Sequence, residues 1–332
     1  MPCYSPLKGW RDEESGALVF RAEGASATAE VACGQCLGCR LDRSRMWAMR
    51  IVHESSLYEC TNGNCFVTLT YRDEYEANDE QLDGGFYIPD DWSLHKDHFQ
   101  KFMKRLRKAF PDRKIKFFMC GEYGETCKHK VHVDDCEICV LGRPHYHACL
   151  FNFSPDDLEQ YTQRLGEPRY TSPKVEEIWK YGFVDVGELN FDSAAYVARY
   201  ILKKVNGVQA EEHYASVSLD GELTFLVPEY CTMSRGGREK GSHGIGYDWY
   251  KKFSSDVFPS DECPVPGIGN IKKVPRYYEE LFKIEDPLGF DEIKEIREKY
   301  RIEHSEEYTP ARLKQKYKVK LAQVNLLVRN AQ

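Results

Sequence analysis

Arg143-Pro144-His145-Tyr146-His147-Ala148-Cys149-Leu150-Phe151 sets two histidines one residue apart at the head of an apolar run. The run is short and rich in aromatic and aliphatic residues, so it reads as a strand. Residues i and i+2 of a strand point to the same face. The imidazoles of His145 and His147 then converge from one side of a sheet, where both can bind one cation.

The flanking sequence predicts the rest of that sheet. Residues 65–71 and 115–120 are short β-branched and aromatic runs, hence strands, and the second runs into Gly121-Glu122-Tyr123-Gly124-Glu125. Between them, residues 95–110 space Phe99, Phe102, Met103, Leu106 and Phe110 as one face of a helix. Residues 126–142 are a polar insert. Downstream, Ser154 caps a predicted helix over 155–165, 175–181 form a short helix, and 183–189 a fourth strand. Asp192 or Ser193 caps a helix carrying Tyr196 and Tyr200. Asp220-Gly221 signals a hairpin between residues 214–219 and 222–227.

Upstream, 1–36 look irregular and 37–58 helical. Residues 228–275 are loop-rich, and a polar helical tail follows Pro275. The order from 65 to 205 is β-α-β-β-α-β-α. It implies an α+β domain with a central antiparallel sheet of about five strands and helices packed against one face. Three regions are expected: a Cys-rich segment and basic helix over 1–60, the sheet domain with its insert over 61–230, and a C-terminal extension over 231–332.

The composition excludes some classes. No apolar run reaches the roughly 18–20 residues of a membrane span, and no secretion signal opens the chain, so a cytoplasmic location with no membrane partner is expected. Thirteen cysteines, clustered and odd in number, then read as metal ligands or reactive thiols rather than disulfides. A net charge of −7 argues against tight non-specific binding of nucleic acid. Basic residues are nonetheless segregated. Arg40, Arg43, Arg45 and Arg50 share a predicted helix, and Lys101, Lys104 and Arg105 share another. Such local faces can hold a DNA backbone on an acidic protein and still release it.

Two constellations carry chemistry. Two imidazoles want a third ligand, and a carboxylate complements them for Mg²⁺ or Mn²⁺. Glu122 ends the preceding strand, and Glu125 is the alternative. Tyr196 and Tyr200 are four apart on a helix and share a face, with Lys203 three further on. A tyrosine hydroxyl activated by a cation or a lysine can attack a phosphodiester, conserving the bond energy as a phosphotyrosyl ester.

The cysteines suggest further metals. Cys33, Cys36 and Cys39, with Cys3 as a fourth, have the spacing and softness for structural Zn²⁺. The insert offers Cys127, His129, His132, Cys136 and Cys139, enough for a tetrahedral zinc site. So short a polar excursion has no core without one.

These motifs, in this order, resemble those of the HUH endonucleases, initiators of rolling-circle replication. Phe66-Val67-Thr68-Leu69-Thr70 resembles the first motif of that family. Pro144-His145-Tyr146-His147 resembles the second, and Tyr196-x-x-x-Tyr200-x-x-Lys203 the two-tyrosine helix. Met1-Pro2-Cys3-Tyr4, Cys33-Gly34-Gln35-Cys36-Leu37-Gly38-Cys39-Arg40, Cys120-Gly121-Glu122-Tyr123-Gly124 and Phe258-Pro259-Ser260-Asp261 narrow the resemblance to initiators of the Microviridae, on the gokushovirus side.

The resemblance implies His145, His147 and Glu122 as ligands of catalytic Mg²⁺ or Mn²⁺, Tyr196 and Tyr200 as nucleophiles, and Lys203 as their helix lysine. It implies nicking and religation of single-stranded DNA at an origin through a 5′-phosphotyrosyl intermediate, with host helicase and polymerase as partners. Arg199 stands where relatives often have lysine, and the 126–142 insert lengthens the link between Glu122 and His145. The alternatives are a plasmid relaxase or transposase of the same chemistry, or a zinc-stabilised single-strand DNA-binding protein without chemistry.

Overall fold

The computed structural model describes residues 3–12, 14–15, 17–20, 29–72, 88–164, 167–199, 205, 207, 209–217, 221–236 and 243–329. In chain order its elements are β1 (Leu7–Arg11), β2 (Leu18–Val19), β3 (Ala29–Val31), α1 (Leu37–Ser56), β4 (Asn64–Thr70), α2 (Lys96–Ala109), β5 (Lys116–Tyr123), β6 (Pro144–Phe151), β7 (Glu159–Arg164), β8 (Glu167–Thr171), α3 (Pro173–Trp179), β9 (Val184–Gly187) and α4 (Phe191–Arg199). There follow α5 (Gln209–Tyr214), β10 (Ala215–Val217), β11 (Leu223–Phe225), β12 (Tyr230–Met233), α6 (Tyr247–Val257), β13 (Glu262–Val265), β14 (Gly269–Lys272), α7 (Arg276–Glu285), α8 (Pro287–Glu303) and α9 (Pro310–Arg329). No helix among the described residues is long and apolar enough to cross a membrane.

Two compact units result, residues 47–275 and residues 1–46 with 276–332, and the division falls within α1. In the second of these, β1–β3 form a small antiparallel sheet in a stretch whose sequence looks irregular. The helices α7, α8 and α9 complete it, as the polar tail predicts. Asp286 caps α8 by accepting from Gly289 N at 2.9 Å, and Pro287 occupies the first turn, where its missing N–H costs nothing.

The 47–275 unit is built on a seven-stranded antiparallel sheet in the order β12-β5-β6-β4-β9-β8-β7. The α+β class is as expected, but the sheet exceeds the expected five strands. Part of the excess is β7 and β8, which pair where the sequence predicts a helix over 155–165. Residues such as Leu158, Glu159, Gln160 and Gln163 favour helix by propensity. Pairing with β8 overrides that weak preference. β12 extends the other edge, pairing with β5.

Strand alternation divides the side chains between two faces. Val67, Leu69, Met119, Tyr146, Ala148 and Leu150 point to one face, where Phe99, Phe102, Met103 and Leu106 of α2 and Val175 and Trp179 of α3 close the main core. Phe102 and Trp179 are fully buried, and truncating either to alanine costs about 3–5 kcal/mol. Trp179 Nε1 donates to Thr70 O at 2.9 Å, which ties α3 to the end of β4. Contrary to the expected one-sided packing, the opposite face is covered too. Trp47 of α1 packs on Phe118 at 5.0 Å, and α4 lies against β5 and β6. The candidate site lies on this face, beneath α4.

Candidate metal centre and nucleophile helix

Because Tyr146 and Ala148 are drawn into the core, His145 and His147 must face the other way. Register then selects their company. His145 pairs with Glu122 on β5 and with Thr70 on β4, and His147 pairs with Cys120 and Thr68. Phe183 exchanges backbone hydrogen bonds with Thr70 at 3.0 and 3.1 Å. One row across the sheet therefore reads Phe183, Thr70, His145, Glu122. The next reads Asp185, Thr68, His147, Cys120.

Three ligand atoms meet there. Glu122 Oε1 lies 2.8 Å from His145 Nε2 and 2.7 Å from His147 Nε2, and the two Nε2 atoms are 3.1 Å apart. Each outer ring nitrogen has its own partner. His145 Nδ1 faces Arg143 O at 3.1 Å, and His147 Nδ1 faces Thr68 Oγ1 at 2.9 Å. A carbonyl only accepts, so His145 Nδ1–H donates to it, and Nε2 is the nitrogen turned toward Glu122 and His147. That arrangement is the usual support of a metal-binding imidazole. Cis ligands of an octahedral ion at about 2.1 Å lie about 3.0 Å apart, and the three separations match. Two imidazoles and a carboxylate fit Mn²⁺ or Mg²⁺ with further positions open. Burial pushes the Glu122 carboxyl up, but its contacts with the two histidines outweigh this and hold it down at about 2. The ligand is thus a carboxylate at neutral pH.

The predicted nucleophile arrives on α4. Its cap is Asn190 rather than Asp192 or Ser193 alone: Ser193 N donates to Asn190 Oδ1 at 3.0 Å, and Asn190 N donates to Ser193 Oγ at 2.9 Å. This reciprocal cap fixes where the helix starts. Ala194, Val197 and Ala198 face inward, and Tyr196 projects over the site with 38% of its surface exposed. Its ring meets His147 edge-on at 5.2 Å and Phe66 at 6.2 Å, while Phe66 stacks on His147 at 5.5 Å. Tyr200 and Lys203 lie outside the described residues.

Other predicted residues sort differently. Cys3, Cys33, Cys36 and Cys39 converge, as do Cys127, His129, Cys136 and Cys139. His132 does not join the second group and instead accepts from Asp134 N at 3.2 Å. Lys101, Lys104 and Arg105 ride on α2, across the sheet from the histidines, and Arg105 is spent on the Ile178 and Trp179 carbonyls at 2.6 and 2.8 Å. Arg50 donates twice to Ile245 O, at 3.1 and 2.8 Å. Arg45 pairs with Asp42, and Arg43 donates to Gly34 O. Arg40 is half-buried on α1.

The sequence reading missed the supporting roles of Thr68 and Arg143, and the exposed Phe183 with the Arg72 guanidinium 5.1 Å from its ring. The signal for Thr68 was present. It lies two residues after Phe66 in a strand that had only to be set in register.

The chain is similar to proteins of known family. The family model described as replication-associated protein ORF2/G2P matches residues 64–134 and 136–205, which take in β4–β9 of the sheet, the insert and α4. Replication-associated protein VP4 of Bdellovibrio phage phiMH2K is 29% identical over 298 residues, covering 86% of this chain and 79% of that protein. Replication-associated protein ORF4 of Chlamydia phage 1 is 28% identical over 260 residues, 76% of this chain and 53% of that protein. Replication-associated protein ORF2 of Spiroplasma virus 4 is 34% identical over 277 residues, 81% of this chain and 73% of that protein. No solved structure matches. Identity at that level across most of both chains establishes that this protein belongs to the family of phage replication-associated proteins.

Proposed function

We propose that the protein initiates replication of a small phage genome by nicking single-stranded DNA at its origin and later rejoining the ends. The observation that carries this reading is Tyr196 against His147, beside the convergent Glu122, His145 and His147. A core-packing tyrosine would be buried. This one is exposed over a ligand set.

The tyrosine Oη attacks the scissile phosphorus in line. A 5′-phosphotyrosyl bond forms, the P–O3′ bond breaks, and the proton lost by the phenol ends on the freed 3′-OH. Tyr200, four residues on in the sequence, serves the second cleavage, and the free 3′-OH then attacks the first linkage to close the circle. Lys203, three residues further in the sequence, favours the phenolate. Glu122, His145 and His147 hold a divalent ion, Mg²⁺ or Mn²⁺, which when bound supplies Lewis-acid polarisation of the phosphate. Phe183 and Arg72, on the site's face of the sheet, offer a stacking ring and a cation to the strand. Host helicase and polymerase act on the exposed 3′ end.

The test is cleavage of single-stranded oligonucleotides from the cognate phage genome with Mn²⁺. The Tyr196→Phe/Tyr200→Phe variant is expected to bind DNA and not cut. Cutting that persists in this variant, or none by the unmodified protein in Mg²⁺ or Mn²⁺, overturns the reading.

A further inference from the structure

The connection between β5 and β6 is folded in an unusual way. It buries Cys127 and Cys139, at 1% and 7% exposure, and leaves Val131, Ile138 and Val140 about half exposed. A polar excursion that turns thiols inward and apolar side chains outward has no hydrophobic core of its own. Its ordered interior is the convergence of Cys127, His129, Cys136 and Cys139, whose ligand atoms all lie within 4.8 Å of one another. His129 Nδ1 is 3.3 Å from Cys136 Sγ and 3.5 Å from Cys139 Sγ. Tetrahedral zinc, with bonds of about 2.3 Å to sulfur and about 2.0–2.1 Å to nitrogen, sets S···N near 3.6 Å. Cys139 N donates to Cys136 Sγ at 3.3 Å, a bond that favours the thiolate.

We propose that this insert is a structural Cys₃His zinc site that staples the hairpin carrying Glu122 and His145. The path from the staple to the centre is short and made of backbone. Arg143 N donates to Thr126 O at 2.8 Å, one residue before Cys127, and Gly124 N donates to Arg143 O at 2.9 Å. That same Arg143 carbonyl faces His145 Nδ1 at 3.1 Å and fixes the ring. Arg143 Nη1 donates to Tyr71 O at 3.0 Å and anchors the residue to the end of β4. The zinc claim stands on the insert alone. Its consequence for the centre rests on the proposed function.

The other unit carries a second site on separate observations. Cys3 Sγ lies 3.6 Å from Cys33 Sγ and 3.8 Å from Cys36 Sγ, and Cys39 completes the group. Four thiolates around zinc sit about 3.8 Å apart. Backbone N–H groups of Tyr4, Cys33 and Cys36 donate to sulfurs of the cluster at 3.3, 3.3 and 3.2 Å. The geometry assigns a Cys₄ zinc site there.

The experiment uses the full chain, purified without chelator. Zinc is counted by mass spectrometry of the metal, and cobalt exchange reads thiolate-to-cobalt charge transfer, a band that the Glu122 centre cannot give. Cys136→Ser is expected to lower zinc by one ion per chain, and Cys36→Ser to lower it by another. Each removes part of the cobalt band. A zinc count unmoved by Cys136→Ser overturns the insert site, and one unmoved by Cys36→Ser overturns the Cys₄ site. Thiols found paired as disulfides with no thiolate–cobalt band overturn both. Where DNA cutting is measurable, Cys136→Ser should raise the Mn²⁺ concentration for half-maximal cutting at least tenfold, while Cys36→Ser should not. An unchanged Mn²⁺ requirement with zinc lost overturns the staple's link to the centre.

Discussion

Replacing Thr68 with valine tests how the centre is held. Thr68 lies in β4, in backbone pairing with β6 on one side and β9 on the other. Valine has nearly the same shape and suits a strand, so the sheet keeps its register. The deletion is one hydroxyl, the group 2.9 Å from His147 Nδ1. Its contribution to folding is that of one hydrogen bond, about 0.5–1.5 kcal/mol. The larger effect falls on the metal. Removing an outer partner of a metal-bound imidazole costs roughly 10–100-fold in affinity, which is about 1.4–2.7 kcal/mol. The Arg143 carbonyl on His145 is untouched, so the loss should stop within that range. Titration of the full-length protein with Mn²⁺, read by the resonance of free Mn²⁺ or by calorimetry, gives the dissociation constant directly. Thr68→Ser restores the hydroxyl and should recover most of the affinity. Unchanged Mn²⁺ affinity in Thr68→Val, or equal losses in the valine and serine variants, would refute the reasoning.

Three further outcomes follow from packing and charge. Glu54 is fully buried and accepts from Lys116 Nζ and Gly246 N, each at 2.7 Å, and from Tyr58 OH at 3.0 Å. Glu54→Gln strands the buried Lys116 ammonium with Asp248 as its remaining partner and should cost about 3–5 kcal/mol in urea unfolding; a loss below 1 kcal/mol would contradict this. Burial, partly offset by the bond to Pro264 O, lowers His53 from 6.5 to about 4. The unfolded chain therefore takes up the proton first, and stability should fall between pH 6.5 and 4 by up to about 1.4 kcal/mol per unit. His53→Gln should flatten that slope, and identical slopes in the two proteins would exclude His53 as its source. A Cβ at Gly142 would meet Gly124 O at 2.2 Å and Thr126 O at 2.7 Å. Gly142→Ala should therefore force the hairpin strands apart and weaken Mn²⁺ binding, and wild-type affinity in that variant would count against the hairpin's role.

The site was more legible than the sheet around it. His145 and His147 declared their common face by spacing alone, and Tyr146, Ala148 and Leu150 declared the buried one, because strand parity is local. Glu122 needed register. It was recoverable because β5 and β6 are joined in sequence and pair antiparallel, so the end of one meets the start of the other despite the insert. The residues of β7 could not be read correctly. Their helix-favouring side chains are exposed at the sheet edge, and only pairing with β8 decides their state. The two-sided packing was also hidden, since the apolar stripes of α1 and α4 do not say which face of the sheet they cover. His132 illustrates the limit of spacing: five residues of the insert were candidates, and four converge while His132 accepts from Asp134 N instead. The basic residues of α2 were hard to place for a related reason. Charge marks an exposed face of a helix and does not say on which side of the sheet that helix lies.

The most direct measurement concerns the bond that defines the chemistry. The Tyr200→Phe protein is incubated with Mn²⁺ and single-stranded oligonucleotides tiling the cognate phage genome, digested with trypsin, and examined by mass spectrometry. A DNA 5′-phosphate attached to the peptide containing Tyr196, absent when Tyr196 is phenylalanine, is the predicted result. Cleaved DNA bearing a free 5′-phosphate with no linked peptide, or an adduct on any residue outside α4, would contradict it.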